Sequence, residues 1–308
     1  MNKLFNEKEM LLKALEGKYA VGAFNFSSLE MLKAIVEASE RAKSPVICAL
    51  SERGLKYADP GYIMDVMNAV LKNTTIPIAL HLDHGKNFEI VKECIDLGFN
   101  SVMIDGSYLP YEENVALTKK VVDYAHKRKV SVEGELGVLA GVEDDVKADE
   151  HRYTDPEQAL DFVKKTGVDS LAIAIGTSHG AFKFKGEPTL KFDILKNVHK
   201  LMPQMPIVLH GASNVPQEYI KTINKFGGKI EGAKGVSEEL IKKACKMAVC
   251  KVNNDTDLRV CFTAAIREFL TEHPEEFTPR KYLQYAKDKV SELVEYKLKK
   301  VFGSYKKA

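Results

Sequence analysis

Three short apolar segments of this 308-residue chain each run into a histidine that is followed at once by glycine. Continuous apolar runs of this length are typical of strands buried in a parallel sheet. Parallel α/β proteins build their active sites at the carboxyl ends of such strands, so we expect the three histidines to lie on one face of the molecule. The segments are IALHLDHG at 78–85, SLAIAIGTSHG at 170–180 and PIVLHGAS at 206–213.

Eight apolar segments alternate with helical patterns along the chain, which is the strand count of a (β/α)8 TIM barrel. A doubly wound open sheet is the main alternative. The barrel is favoured because the chemically active residues follow strands throughout the chain, whereas an open sheet would concentrate them at one switch point. The predicted strands are 19–24, 45–50, 77–82, 101–104, 130–133, 170–175, 206–209 and 250–252.

Several helical patterns open with a residue that commonly caps helices. The clearest begin at Ser28, Asn114, Asp155 and Ser237. We find no internal repeat, low-complexity segment or linker in the sequence. We therefore expect a single domain over 1–308, with residues 274–308 forming a terminal helical extension on the outside of the barrel.

Composition excludes several classes of partner. With 45 basic and 43 acidic residues the net charge is +2, which gives no reason to expect binding to nucleic acid or to a membrane. No apolar run is long enough to cross a bilayer, and the first residues lack the apolar region of a signal peptide. The five cysteines form no CxxC pair, which favours reduced thiols. We expect a cytoplasmic protein.

The strand-end histidines His84, His179 and His210 are candidate metal ligands. A single histidine in such a position is more often structural, but three at equivalent barrel positions can form the open three-nitrogen shell of a catalytic Zn²⁺. Asp83 is the candidate group for proton transfer. The roles of other polar residues stay open between support of a metal ligand and ordinary packing. These residues are His81, Asp105, Glu133 and Glu135.

A second group of residues, beyond the last three predicted strands, suits a phosphate group. Barrels present backbone N–H groups and hydroxyls there, although glycines at these positions also serve as turns. Lys183 adds a nearby cation. An aspartate beside zinc at a phosphate-binding mouth indicates proton transfer next to a metal-polarised carbonyl. The other candidates are Gly180, Gly211, Ser213 and the run 253–256.

Motifs spread over nearly the whole chain resemble those of the class II, zinc-dependent fructose-1,6-bisphosphate aldolases. There are several such motifs, they are spaced along the chain, and they contain chemically reactive side chains. Together they are therefore far more specific than a lone glycine motif. They are VGAFNF at 21–26, HLDHG at 81–85, SVMIDGS at 101–107, SVEGELG at 131–137, IGTSHGAFKFKGEP at 175–188, LHGAS at 209–213 and NNDTDLR at 253–259.

The resemblance implies a lyase of glycolysis or gluconeogenesis that cleaves fructose 1,6-bisphosphate reversibly to dihydroxyacetone phosphate and glyceraldehyde 3-phosphate. It implies that His84, His179 and His210 hold zinc and that Asp83 is the acid/base. Cobalt in place of zinc and a monovalent cation are further candidate cofactors.

The resemblance also implies a set of residues that contact substrate. Arg259 would reach the second phosphate from a neighbouring subunit, so a homodimer or homotetramer is expected. The others are Gly180, Lys183, Gly211, Ser213, Asp255 and Thr256 around the ketose-side phosphate, Asn253 near the reacting carbons, and Asn25 and Ser51 on the aldehyde side.

Three other functions compete with this interpretation. A zinc hydrolase would use the same histidines to ionise water but would not need two phosphate sites. A non-catalytic accessory subunit should have lost some of the metal and acid/base residues, all of which are present. Tagatose-1,6-bisphosphate aldolase shares the metal site and differs in stereochemistry at C4. Its counterpart of 253–259 resembles NVATEL, which lacks the first aspartate, so NNDTDLR favours fructose.

Overall fold

The computed structural model describes residues 4–138, 141–143, 146–148, 152–178 and 189–308. Eight parallel strands close into a barrel, and two further strands form a separate antiparallel pair. The eight barrel strands coincide with the eight apolar segments predicted from sequence, so the TIM barrel is confirmed and the open sheet is excluded. In chain order the strands are β1 (Val21–Asn25), β2 (Val46–Ser51), β3 (Ile78–Gly85), β4 (Ser101–Ile104), β5 (Ser131–Leu136), β6 (Gly141–Glu143), β7 (Val146–Ala148), β8 (Ser170–Ile173), β9 (Ile207–Leu209) and β10 (Val249–Asn254).

Helices surround the barrel and close one end of it. Met10, Leu11 and Ala14 of the first helix pack with strand residues such as Val21 and Ile47, so this helix covers the amino-terminal end of the barrel. The helices are α1 (Glu7–Gly17), α2 (Leu29–Ala42), α3 (Glu52–Ala58), α4 (Pro60–Asn73), α5 (Phe88–Leu97), α6 (Tyr111–His126), α7 (Pro156–Thr166), α8 (Phe192–Leu201), α9 (Gln217–Lys225), α10 (Glu238–Met247), α11 (Thr256–Glu272) and α12 (Pro279–Tyr296), with a π-helix at Lys297–Val301.

Three of the four predicted helix caps are confirmed. The side chains of Ser28, Asp155 and Ser237 each accept a hydrogen bond from a backbone N–H in the first turn of α2, α7 and α10. The prediction at Asn114 was wrong, because α6 begins at Tyr111, three residues earlier. Asn114 is instead buried inside the helix, where its Nδ2 donates to a backbone carbonyl of β5.

The C-terminal helical extension is present and lies against the outside of the barrel. Helix α12 packs along α2 and α11. Polar contacts fix this arrangement, since Ser291 Oγ donates to Ala34 O and Tyr285 OH donates to Glu268 Oε2. Within the described part of the chain, no helix combines the length and the apolar composition that crossing a membrane requires.

Candidate active site

Buried polar side chains gather inside the barrel, on strand residues and at the carboxyl ends of the strands. Their burial is unusual, because charged groups are seldom fully buried unless they are paired or bind a ligand. Each barrel strand that contributes brings its residue to the same interior. The residues are Asn25 from β1, Asp83 and His84 from β3, Asp105 after β4, Glu133 and Glu135 from β5, His210 after β9, and Asn253 from β10.

A local irregularity in β3 brings Asp83 and His84 to the same site. In a regular strand, neighbouring side chains point to opposite faces of the sheet. Here the pairing of β3 with β4 shifts between Leu82 and Gly85, and His84 has a positive φ of 50°. Such bulges re-aim side chains and are common next to active sites.

Asp83 is held by two amides. Asn25 Nδ2 donates to Asp83 Oδ2 at 2.8 Å, and Asn253 Nδ2 donates to Asp83 Oδ1 at 2.9 Å. Because both contacts are donors, they favour the ionised carboxylate. The side-chain oxygens of Asn25 and Asn253 are buried and have no hydrogen-bond partner among the described residues. Both oxygens are therefore available to the hydroxyl groups of a ligand.

His84 and His210 face each other through one nitrogen each. His84 Nε2 lies 3.0 Å from His210 Nδ1. The opposite nitrogens contact carboxylates, with His84 Nδ1 at 3.1 Å from Asp105 Oδ2 and His210 Nε2 at 2.7 Å from Glu133 Oε1. If both imidazoles donate to these carboxylates, two lone pairs point at one another. Such an arrangement is favourable only when the two nitrogens share a proton or would both bind one metal ion.

The donor set therefore fits a metal ion. Asp83, His84 and His210 offer ligand atoms that all lie within 4.8 Å of one another. Carboxylates that bind the far nitrogens of metal-binding histidines fix their tautomer and orientation. Asp105 and Glu133 contact the far nitrogens of His84 and His210 in this way, and their role as supporting residues stays a prediction. A second group, in which Glu135 joins His84 and Asp105, shows the same proximity.

The electrostatics of the site favour positive charge between the two imidazoles. Burial alone lowers the pKa of His84, but the carboxylates of Asp83, Asp105 and Glu135 outweigh it and raise the pKa well above its usual range. Burial lowers the pKa of His210. The site thus favours one positive charge at this pair of rings: without a metal that charge is a proton on His84, and a bound metal ion would take the place of the proton.

The two glutamates of β5 have opposite pKa shifts. Burial would raise the pKa of Glu133, but the ammonium of Lys251 and the His210 ring hold it well below its usual range. Burial raises the pKa of Glu135, and the negative charge of Asp105 raises it further. Glu133 is therefore an ionised acceptor, and the roles of Glu133 and Glu135 as supporting residues stay predictions.

Lys251, for which the sequence predicts no role, lies beneath the two histidines. Its Nζ donates to Glu133 Oε2 at 2.6 Å and lies 2.9 Å from His81 Nε2. His81 Nδ1 in turn contacts Ser101 Oγ and Glu7 of α1. The available signal was a lysine in the middle of a strand whose residues are all buried. His81 belongs to this supporting network and is not placed among the grouped metal ligands.

The predicted phosphate-binding residues are described in part. Gly211 has a φ of 59°, and a Cβ there would come within 2.5 Å of Ser178 O, so the backbone passes too closely for any other residue. Ser213 is buried beside it. Thr256 opens α11, whose first N–H groups are suited to an anion. The predicted residues His179, Gly180 and Lys183 lie outside the described residues.

Ser51, Asp255 and Arg259 have contacts within this chain. Ser51 lies beside Asp83 in the β2–β3 register, and its Oγ accepts from Gly54 N at the start of α3. Arg259 Nη2 forms an ion pair with Asp255 Oδ2 at 2.7 Å, and the Arg259 side chain is 49% exposed. That exposure is compatible with a contact to another subunit, which stays a prediction.

Comparison with known proteins places the whole chain in one group. A family model described as fructose-bisphosphate aldolase class-II matches residues 5–307. A fructose-bisphosphate aldolase of Treponema pallidum (strain Nichols) is 50% identical, over 98% of this chain and 96% of that protein. One of Thermus caldophilus is 48% identical, over 97% of this chain and 98% of that protein.

Solved structures agree with this fold. The crystal structure of the YdjI aldolase from Escherichia coli K12 superposes with a TM-score of 0.81 at 31% identity, covering 99% of each chain. A fructose-bisphosphate aldolase from Campylobacter jejuni superposes with a TM-score of 0.77, covering 99% of this chain and 97% of that one. At 22% identity the second comparison supports the fold alone.

Proposed function

The chain belongs to the class-II fructose-bisphosphate aldolase family, and on that premise we propose that the buried site around Asp83, His84 and His210 is its catalytic centre. The enzyme is a lyase that cleaves fructose 1,6-bisphosphate to dihydroxyacetone phosphate and glyceraldehyde 3-phosphate, and it runs the reverse condensation. The observation that carries the assignment of the site is the pair of imidazole nitrogens facing each other at 3.0 Å, with carboxylates behind both rings.

His84, His179 and His210 would hold the zinc ion that class II aldolases use. Bound there, zinc would polarise the C2 carbonyl of the ketose and stabilise the negative charge that develops when the C3–C4 bond breaks. Asp105 and Glu133 orient two of the rings by accepting from their far nitrogens. Cobalt is proposed as a working substitute because it accepts the same imidazole ligands. A monovalent cation stays a prediction without assigned residues.

Asp83 would remove the proton of the C4 hydroxyl in cleavage and return it in condensation. Its two oxygens each accept one amide hydrogen bond, from Asn25 and Asn253, and a carboxylate has further lone pairs for a substrate hydroxyl. The amides fix the direction of the carboxylate. Their unpaired oxygens are proposed to bind neighbouring substrate hydroxyls.

The buried lysine at this site argues against Schiff-base chemistry. A class I aldolase needs a lysine that loses its proton easily in order to attack the ketone. Lys251 has the opposite environment, because the negative charges of Glu133 and Glu7 outweigh burial and raise its pKa. It therefore stays an ammonium that supports Glu133.

The phosphate ends of the substrate are assigned by family resemblance. Arg259 of a neighbouring subunit would bind the second phosphate, which requires a homodimer or homotetramer. Buried free cysteines accord with the cytoplasm as the proposed location. The ketose-side phosphate would contact Gly180, Lys183, Gly211, Ser213, Asp255 and Thr256, and the aldehyde side would contact Asn25 and Ser51.

The experiment that tests this function is a cleavage assay on fructose and tagatose 1,6-bisphosphates, with and without a chelator. We expect cleavage of the fructose compound that is faster than that of the tagatose compound and is lost on chelation. Preference for tagatose 1,6-bisphosphate would favour the alternative substrate. Chelator-resistant cleavage would exclude the metal mechanism.

Asp255→Ala is expected to lose more activity on fructose 1,6-bisphosphate than on tagatose 1,6-bisphosphate. If Asp255 accepts a hydrogen bond from a hydroxyl in the fructose C4 configuration, it discriminates through transition-state binding. Such a contact to a charged acceptor is worth roughly 1.5–3 kcal/mol, or about 10- to 150-fold in kcat/KM. The measurement is the ratio of the two kcat/KM values at equal metal loading.

Arg259→Ala is the matched control, because it breaks the same ion pair with Asp255. A phosphate contact carries no information about C4, so both substrates should weaken alike. Equal losses on both sugars for Asp255→Ala would instead make Asp255 a structural partner of the phosphate site.

A further inference from the structure

One buried carboxylate ties together three separate segments beside the proposed phosphate site. Asp257, in the first turn of α11, is fully buried. Its Oδ1 accepts from Val215 N at 2.7 Å, and its Oδ2 accepts from Asn214 N and from Asn254 Nδ2, both at 3.0 Å. The ammonium of Lys297 lies 2.6 Å from the same Oδ2.

The loop that Asp257 holds is strained. Val215 has a positive φ of 52°, which is a true outlier for a β-branched residue. Such a conformation persists only where the surrounding structure over-determines it. Two adjacent backbone N–H groups bound to one carboxylate supply that constraint, and Gln217 Nε2 donates to Val215 O from the other side. The loop comprises residues 211–215 and includes Gly211 and Ser213, which are assigned to the ketose-side phosphate.

Lys297 comes from the C-terminal extension, a part of the chain that the catalytic account does not use. It is the first residue of the π-helix and is fully buried. The π-helix is anchored by the buried side chains of Leu298 and Val301, and Phe302 N donates to Lys297 O. Short π-helical segments are frequent at functional sites. Here the segment places a positive charge under the loop.

We propose that Asp257 and Lys297 are positioning residues that hold the phosphate-binding loop 211–215 in its working conformation. This inference rests on the proposed function, because the loop is assigned to a substrate phosphate there. Asp257 acts on Asn214 and Val215 directly, and Lys297 acts through Asp257. The C-terminal extension is thereby part of substrate binding, although it lies outside the barrel.

The chemistry of the contacts explains why an ion pair is used. Apolar pairs often replace buried ion pairs without loss of stability. At this position three N–H donors converge and need an acceptor with two oxygens. A carboxylate supplies both oxygens, but burial disfavours its charge. The ammonium of Lys297 and the amides of Val215 and Asn214 outweigh burial and keep the pKa of Asp257 below its usual value.

The test compares Lys297→Met with Lys287→Met. Lys287 is a matched control because it lies ten residues earlier, in α12, and pairs with Glu37 of α2, away from the loop. For Lys297→Met we expect KM for fructose 1,6-bisphosphate to rise about tenfold or more, with kcat within about threefold, since contacts to a non-reacting group chiefly affect binding. Amide hydrogen exchange in the 211–215 loop should accelerate about tenfold or more. Lys287→Met should change neither quantity.

A double variant separates positioning from simple stability. Lys297→Met alone leaves a buried unpaired charge and is expected to lower Tm. Asp257→Asn combined with Lys297→Met removes both charges, so Tm should recover in part. An asparagine has one side-chain oxygen and cannot accept from all three donors, so KM and amide exchange should stay raised.

Recovery of KM together with Tm in the double variant would overturn the positioning role. The positioning role would also be overturned if Lys297→Met kept the wild-type KM and the wild-type rate of amide exchange in the loop. The wild-type protein is assayed first. If it fails to cleave fructose 1,6-bisphosphate when loaded with zinc, the proposed function is overturned, and not the positioning role.

Discussion

Asp83→Ala is expected to slow cleavage of fructose 1,6-bisphosphate by ~10² or more, the usual scale for a lost general acid/base. The amides of Asn25 and Asn253 orient this carboxylate, and alanine has no group that could accept the proton. Zinc binding should persist, because the imidazoles are untouched. The measurement is kcat at saturating zinc, together with the zinc content of the same sample.

Asp169→Ala is the control for loss of a buried carboxylate. Asp169 precedes β8 at the amino-terminal end of the barrel, where it pairs with Lys8 and His126. It should cost stability and leave kcat within about threefold, because it lies far from the catalytic end. Loss of zinc from Asp83→Ala, with the rate falling only in proportion, would reassign Asp83 to the metal ligands.

His210→Ala is expected to lose zinc and activity together. An open three-ligand site has no spare donor, and the change also removes the partner of Glu133. Loss of a supporting contact alone typically costs 10–100-fold in metal affinity or activity, so loss of a ligand should cost at least about 100-fold. Zinc per subunit after dialysis and kcat on the same material are the quantities to compare.

His126→Ala serves as the control for His210→Ala. His126 is a partly exposed histidine at the end of α6 that contacts Asp169. It should keep both zinc and rate. A His210→Ala protein that retains a full complement of zinc and the wild-type rate would remove His210 from the metal site.

The barrel was predictable from sequence because its strands are buried on both faces and therefore appear as continuous apolar runs. β3 and β8 are clear examples, and the predicted and observed strands overlap at all eight positions of the barrel. Helix starts were predictable where a side chain caps the first turn, as at Ser28. The prediction at Asn114 failed because an asparagine inside a helix cannot be told from a capping asparagine by sequence. Its hydrogen-bond partner is a backbone carbonyl of β5, further along the chain.

Sequence predicts those residues of the site whose position depends only on the ends of the strands. Asp83, His84 and His210 follow apolar runs and meet as expected. The bulge that turns Asp83 and His84 to the same side has no sequence signature, because it depends on the register with β4. Sequence left the roles of Asp105 and Glu133 open, since the choice depends on which imidazole each one reaches.

Buried charges that act through distant partners could not be predicted from local patterns. Lys251 and Glu133 are 118 residues apart in the chain, and Lys297 reaches Asp257 from the C-terminal extension. Each of these charged residues lies at a position that sequence periodicity can predict to be buried. The partner that makes the burial favourable is known only once the barrel is closed.

Cleavage of fructose 1,6-bisphosphate is expected to require a zinc ion held by the strand-end histidines. The most direct test is the cleavage rate of metal-free protein during titration with zinc. We predict no cleavage at the start, a linear rise as zinc is added, and a plateau at about one zinc per subunit. Full cleavage by protein shown to be free of metal would contradict a zinc-dependent mechanism.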